Sequence, residues 1–167
     1  MKKPYLIVSS LKRAISRAAG KCVKDKSFSR KSPLTKEALI RLLIGAEGGS
    51  LDKILHTAGI NVTASAVSQR RAQVAPEVFR AAFDYFNADC VDDDFFRGYR
   101  LLAADGTTVN LPRNPKAPSF VQNAGIPKGV NQLHLMPLYD ILSRTFVDAI
   151  IQPEPKKDEI GALITMF

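Results

Sequence analysis

The sequence predicts an α+β or α/β chain, with helices first and strands after. Apolar residues recur at helical spacing up to about residue 90. From residue 99 they gather into short β-prone runs bounded by turn residues. The change falls within residues 88–99. Three segments are expected: a basic N-terminal arm at 1–32, a helical region at 33–90, and a strand-and-helix region at 91–167.

The helical elements are justified in turn. Residues 5–19 suit a basic helix, and the polar, charged stretch 21–32 reads as a linker. Ser32-Pro33 or Thr35 suits the start of the next helix. In it, Leu39, Leu42, Leu43 and Ala46 share one face, and Gly48-Gly49 stops it. Ser50 is the N-cap expected for a helix carrying Leu51, Ile54, Leu55 and Ala58, which Gly59 ends. Thr63 then opens a short helix, small residues on one side and Ser68, Gln69, Arg70 and Arg71 on the other. Pro76 suits the first turn of a last helix, whose expected core stripe is Phe79, Ala82, Phe83 and Phe86.

The strand region begins with Tyr99–Ala104, runs into Asp105-Gly106 and continues as Thr107–Leu111. Residues 112–129, with Pro, Asn, Lys and Gly, read as a loop. Asn131–Leu142 and Thr145–Gln152, joined at Ser143-Arg144, carry a hairpin signal. Pro153 and Pro155 end the last strand, and Asp158 is placed to cap a helix through Ile160, Leu163, Ile164 and Phe167.

Composition narrows the function classes. The net charge of +8 and pI of about 9.7 point to a polyanionic partner, nucleic acid before a membrane surface. Residues 1–36 hold eleven Lys and Arg against one acid, Asp25. Such an arm is either solvated or in contact with phosphates, and the two are compatible. Cys22 and Cys90 are too few for a disulfide framework or a zinc site, and they fit a reducing cytoplasm. Lys12 and Arg13 interrupt the apolar run Tyr5–Val8 before it reaches the length of a signal peptide. No stretch is long enough to span a membrane, so a cytoplasmic location is expected.

Two places bear on chemistry. Helix, Gly59 turn and a Ser/Gln/Arg helix resemble a helix-turn-helix, whose second helix reads the major groove, with Gln suited to adenine edges and Arg to guanine. Ser68, Gln69, Arg70 and Arg71 are the candidate DNA-binding residues; a helical hairpin with a solvated basic face is the alternative. Asp105-Gly106 is a turn dipeptide, yet Asp105 also stands where a buried apolar run emerges. A carboxylate so placed can hold Mg²⁺, but two-metal phosphoryl transfer needs two or three that converge. Asp92, Asp93 and Asp94 diverge as neighbours and read as a solvated linker. His56 and His134 are isolated in sequence and read as structural or exposed. No phosphate-binding glycine loop, nucleophile elbow or Cys/His metal spacing occurs.

The stretch Gly98–Thr107, with Asp105-Gly106-Thr107, resembles the first catalytic strand of DDE transposases of the fourth insertion-sequence family. So do Asn131–Leu135, Leu138–Leu142, Asp148–Pro153 and Asp158-Glu159, in order and spacing, and Val62–Arg71 resembles that family's N-terminal region. The resemblance implies a ribonuclease-H-like domain over 91–167, truncated, with its first three strands at 99–111, 131–142 and 145–152 and its first helix after them. It implies that Asp105 is the first acid of the catalytic triad and a Mg²⁺ ligand. It also implies double-stranded DNA, at terminal inverted repeats, as partner, and cutting and joining of phosphodiesters without a covalent enzyme intermediate. The family's second Asp and its Glu lie beyond the helix at Asp158. None of Tyr5, Tyr85, Tyr99 and Tyr139 opens the Tyr-x2-Arg-x3-Glu pattern. Asp140, Asp148 and Glu159 have nothing that places them at triad positions.

Three readings follow: a truncated transposase inactive alone, a non-catalytic DNA-binding protein or transposition inhibitor, and an inert product. In the last, an uncovered sheet exposes apolar surface and an open edge, and it is expected to be weakly stable or to form a homo-oligomer.

Overall fold

The computed structural model describes residues 4–22, 33–46, 48–90 and 95–167. The residues expected to form the 21–32 linker beyond Cys22, and the acidic run at 92–94, lie outside the described residues. The chain divides into two compact units, Met1–Cys90 and Val91–Phe167. It is a mixed α+β protein, and every strand pairing among the described residues is antiparallel.

The first unit holds α1 (Pro4–Cys22), α2 (Lys36–Ile44), α3 (Leu51–Thr57), α4 (Ala64–Arg71) and α5 (Glu77–Cys90). Thr35, Ser50 and Thr63 cap α2, α3 and α4, each side chain accepting the amide three residues on. That satisfies one otherwise orphaned donor per helix. Gly45, ahead of Gly48-Gly49, ends α2, so Ala46 lies beyond the helix and is exposed. Its buried side chains are Leu39, Ile40 and Leu42.

Two apolar clusters form the core. Ile15, Ala18 and Ala19 of α1 pack with Ile40 of α2 and with Val78 and Ala82 of α5. Leu34, Leu39, Leu42, Leu55 and Val67 join α2, α3 and α4. The 1–32 segment is therefore not a separate arm over its described part. Small residues at helical spacing let α1 approach α5 closely, while Lys12, Arg13, Arg17 and Lys21 stay exposed. Arg13 pairs with Asp89 at 3.1 Å, and Arg17 and Lys21 lie over the Tyr85 ring at 4.2 and 5.4 Å. The stripe that α5 buries also differs from the aromatic one expected. Val78 and Ala82 are its centre, with Phe79, Ala81 and Tyr85 against it, while Phe83 and Phe86 are half-buried.

The second unit holds β1 (Leu102–Ala104), β2 (Thr107–Leu111), β3 (Phe120–Asn123), β4 (Ile126–Asp140), β5 (Thr145–Pro153), a 3-10 turn at Glu154–Lys156 and α6 (Glu159–Met166). All four other strands pair with β4. Ala104 opposite Leu138 and Thr107 opposite Leu135 keep one register, so β1 and β2 are two pieces of one run. The run expected at 99–111 is thus shorter at its start and interrupted at Asp105-Gly106, across from Pro137, which brings no amide hydrogen to the ladder. Leu133 pairs with both Val109 and Pro153, which sets β2 and β5 on opposite sides of β4.

The region read as a loop at 112–129 contains β3 and the start of β4. Asn123 Oδ1 accepts the amides of Gly125 and Ile126, both at 3.0 Å, closing a tight turn that brings Asn123 opposite Ile126. Gly129, at φ +69°, lies directly under the Phe120 ring, where a side chain would collide. Buried Asn131 donates to the Asn114 carbonyl and to Ser119 Oγ, each at 3.0 Å, and accepts the Asn114 amide, which pins the preceding loop.

Along β4, His134, Met136, Leu138 and Asp140 are buried, and the alternating Leu133, Leu135, Pro137 and Tyr139 are only half-buried. The buried apolar residues of this unit, among those described, are Met136, Leu138 and Ala162. Asp140 ends the strand. Burial opposes its charge, but hydrogen bonds from Arg100 Nε (2.6 Å) and from the amides of Ser143 and Leu142 outweigh that and hold the carboxyl below its ordinary value.

Ile15→Ala should cost the first unit about 2–4 kcal/mol in urea unfolding, as for other buried Ile truncations. A cost near zero would return α1 to the status of an arm. Because folding lowers the Asp140 carboxyl, its stabilising contribution is present above the unfolded value and is lost as pH falls through the folded one. Asp140→Asn should therefore flatten the loss of stability below about pH 5 in acid titrations followed by circular dichroism.

Candidate functional site

Each unit carries one candidate site. In the first unit the geometry starts at the end of α3. The Ile60 amide donates to Leu55 at 3.0 Å and the Gly59 amide to His56 at 3.1 Å, with Gly59 at φ +65°. This is a Schellman closure, which needs a left-handed residue at the Gly59 position. Ile60 packs back into the cluster that holds Leu55 and Val67. The chain is so turned into Thr63, which caps α4 through the Ala66 amide at 3.2 Å.

α4 buries Val67 fully and leaves Ser65, Ser68, Gln69 and Arg71 exposed. Arg70 is half-buried and donates to Gln73 Oε1 at 3.4 Å. Of the four residues singled out in the sequence, Ser68, Gln69 and Arg71 are exposed and Arg70 is half-buried; Ser68 and Gln69 turn away from Val67, whereas Arg71, four residues on, lies along Val67's side of the helix. The exposed side chains of α4 offer an amide that can donate and accept, a guanidinium and two hydroxyls, with no acid on α4. His56, near the end of α3, is exposed.

In the second unit Asp105 is exposed at the break between β1 and β2 and makes no hydrogen bond or ion pair to a described residue. Among the described residues, no three of His, Cys, Asp and Glu converge on a metal position. Asp140 is occupied by Arg100, and Asp148 accepts the Ala149 amide at 2.7 Å. The residues present therefore do not fit the Mg²⁺ site that the family resemblance implies, and no chemistry through such an ion follows from this geometry.

The structure does bring together a cluster that sequence spacing leaves scattered. His134 is buried, with Nδ1 3.8 Å from Glu154 Oε2 and Nε2 3.3 Å from Glu159 Oε1. Neither ring nitrogen makes a hydrogen bond of acceptable geometry. Lys157 Nζ, 3.0 Å from Glu154 Oε1, lowers the Glu154 carboxyl, and Glu154 in turn raises the Lys157 ammonium. His134 and Thr108 add smaller lowering effects on Glu154. Gly106 backs onto this imidazole: a Cβ there would meet the ring carbon between its nitrogens, lie 2.6 Å from Nε2 and 3.1 Å from Glu159 Oε1. The Asp105-Gly106 corner is thus seated on His134, which was read as isolated. Strand register alone creates that neighbourhood, since Thr108 lies opposite His134.

Gly106→Ala should destabilise the second unit by about 1–3 kcal/mol, the usual cost of overpacking, and His134→Ala in the same chain should recover part of it. Additive losses in a double-mutant cycle read by thermal melting would remove His134 from beneath the corner.

Comparison with protein-family models, with curated proteins and with solved structures finds no match to this chain.

Proposed function

We propose that this chain binds double-stranded DNA as the opening portion of a DDE-type transposase resembling the fourth insertion-sequence family. Its sites on DNA are the terminal inverted repeats of such an element, and it acts in the cytoplasm. The observation that carries the reading is the α3–Gly59–α4 arrangement. A Schellman turn leads into a polar helix whose exposed side chains are of the types that read base edges. The charge of +8 supplies the sequence-independent part of the affinity.

The order β1/β2, β4, β5, α6, with Asp105 at the strand break, supports a ribonuclease-H-like opening for the second unit. One exposed carboxylate does not perform two-metal phosphoryl transfer. The reading is therefore of a DNA-holding chain that does not cleave alone. A transposition inhibitor is the second reading, favoured by the sparse apolar burial of the second unit, which suits occupancy of DNA more than rigid positioning of a reacting phosphate.

Selection from a random duplex pool with the full chain should yield a consensus bound at least about 10³-fold tighter than bulk DNA. On that consensus, Gln69→Ala and Arg71→Ala should each cost about 1–3 kcal/mol and relax individual positions, measured by fluorescence anisotropy. Arg70→Ala should cost less. Binding without sequence preference that vanishes with modest salt would reduce the activity to charge alone. Mg²⁺-dependent strand transfer by the isolated chain would overturn the incomplete-site reading.

A further inference from the structure

Residues 106–139 hold no Asp or Glu, yet they include Arg113, Lys116 and Lys128, all exposed. The fold gathers these cations at the Ile126 end of β4. Arg113 Nε donates to the Lys128 carbonyl at 3.1 Å, and its guanidinium lies 5.6 Å from the centre of the Phe120 ring. The Lys116 amide donates to Asn114 Oδ1 at 3.1 Å, next along the same loop. None of the three cations makes an ion pair with a described acid. Register keeps the acids that bound this stretch at the other end of the strand, where Ala104 lies opposite Leu138 and Leu102 opposite Asp140 itself. Glu154, following Pro153 opposite Leu133, comes closer, but its carboxylate meets Lys157 at 3.0 Å, and Lys156 beside it is exposed.

The loop at 112–119 is held in place by the rest of the unit. Buried Asn131 accepts the Asn114 amide and donates to the Asn114 carbonyl and to Ser119 Oγ. The Gln132 amide donates to the Ser119 carbonyl at 2.9 Å. Pro112, Pro115 and Pro118 each fix a backbone torsion. A loop already ordered loses less entropy on binding than a slack chain with the same charges.

We propose that this loop and the start of β4 contact the phosphate backbone of duplex DNA, as a second surface apart from α4. The proposal rests on the DNA reading for its partner and on no residue of α4 for its contacts. Three exposed cations without acid partners fit a polyanion. Asn114, Gln122 and Asn123, exposed in the same segment, are of the kinds that add hydrogen bonds to phosphate and sugar. A membrane surface fits less well. Phe120 is half-buried beside Arg113, and the exposed residues of the loop are Pro, Arg, Asn and Lys, with no large apolar side chain to insert. Contacts of this kind fix affinity and orientation on the duplex and carry no sequence information.

Fluorescence anisotropy with the full chain and a random-sequence duplex, over about 50–200 mM salt, tests this. Each of Arg113→Gln, Lys116→Gln and Lys128→Gln should lower the slope of log affinity against log salt by about 0.9, and the three together by about 2.7. The loss should be the same on every sequence. Arg144→Gln removes an equal exposed charge at the hairpin end of the sheet and should leave the slope unchanged. The Lys116 side chain makes no hydrogen bond to a described residue, so its variant reports on DNA even where Arg113→Gln disturbs the loop. An unchanged slope in the Lys116 and Lys128 variants, an equal loss from Arg144→Gln, or a loss seen on anionic vesicles and not on duplex DNA would overturn the proposal. A different readout separates the α4 reading. If Gln69→Ala relaxes individual positions while the loop variants do nothing, this surface fails alone. If the loop variants lower the slope and no consensus emerges, the α4 reading fails alone. A chain that binds no duplex at the low end of the salt range overturns both.

Discussion

The second unit depends on the hydrogen-bond ladder of β4. Every other strand of the described sheet pairs with that one strand. Apolar burial does not share the task as it does in the first unit, where two clusters tie five helices together. With only Met136, Leu138 and Ala162 buried among the described apolar residues, the sheet is held by backbone pairing and by a few buried polar anchors. Small units bury too little surface to be robust on apolar burial alone. Asn131 within β4 and Asp140 at its end are such anchors, each with its polar atoms matched by hydrogen bonds. A buried polar group without partners costs more than a satisfied one contributes, so these anchors fix the register firmly.

The same strand organises the candidate chemistry. Asp105 emerges where the run opposite β4 is interrupted, and Gly106 rests on the imidazole that β4 supplies. The absence of a side chain at Gly106 is a steric requirement, because its φ is not in the left-handed region and the space is filled by His134. His134 in turn lies between two carboxylates, one near each ring nitrogen, from the 3-10 turn and from α6. The corner is seated from several directions, while among the described residues no three His, Cys, Asp or Glu side chains group around a metal position.

In the first unit the constraint is different. A left-handed Gly59 lets α3 end abruptly, and Thr63 restarts the chain at a new angle. Val67 then fixes the roll of α4, because its full burial turns Ser68 and Gln69 outward, while Arg71 is exposed at the helix end. Arg13 and Arg17 show that a basic count overstates the free charge. One is paired with Asp89 and the other is stacked on Tyr85.

Local chemistry by itself determined much of this protein. The caps Thr35, Ser50, Thr63 and Asp158, the stop at Gly59 and the β4–β5 hairpin are legible because each acts within a few residues of chain. Of the polar residues expected outward on α4, Ser68, Gln69 and Arg71 are exposed and Arg70 is half-buried. What only tertiary structure decided involves partners distant in sequence. The burial of α1 against α5 turns on small residues whose value appears only when another helix approaches. β3 escapes a reading by composition because its turn is made by the Asn123 side chain and its glycine serves a ring above it. His134 meets Gly106 through register, which belongs to the paired sheet rather than to any one segment, and it meets Glu154 and Glu159 because the 3-10 turn and α6 fold back beside it.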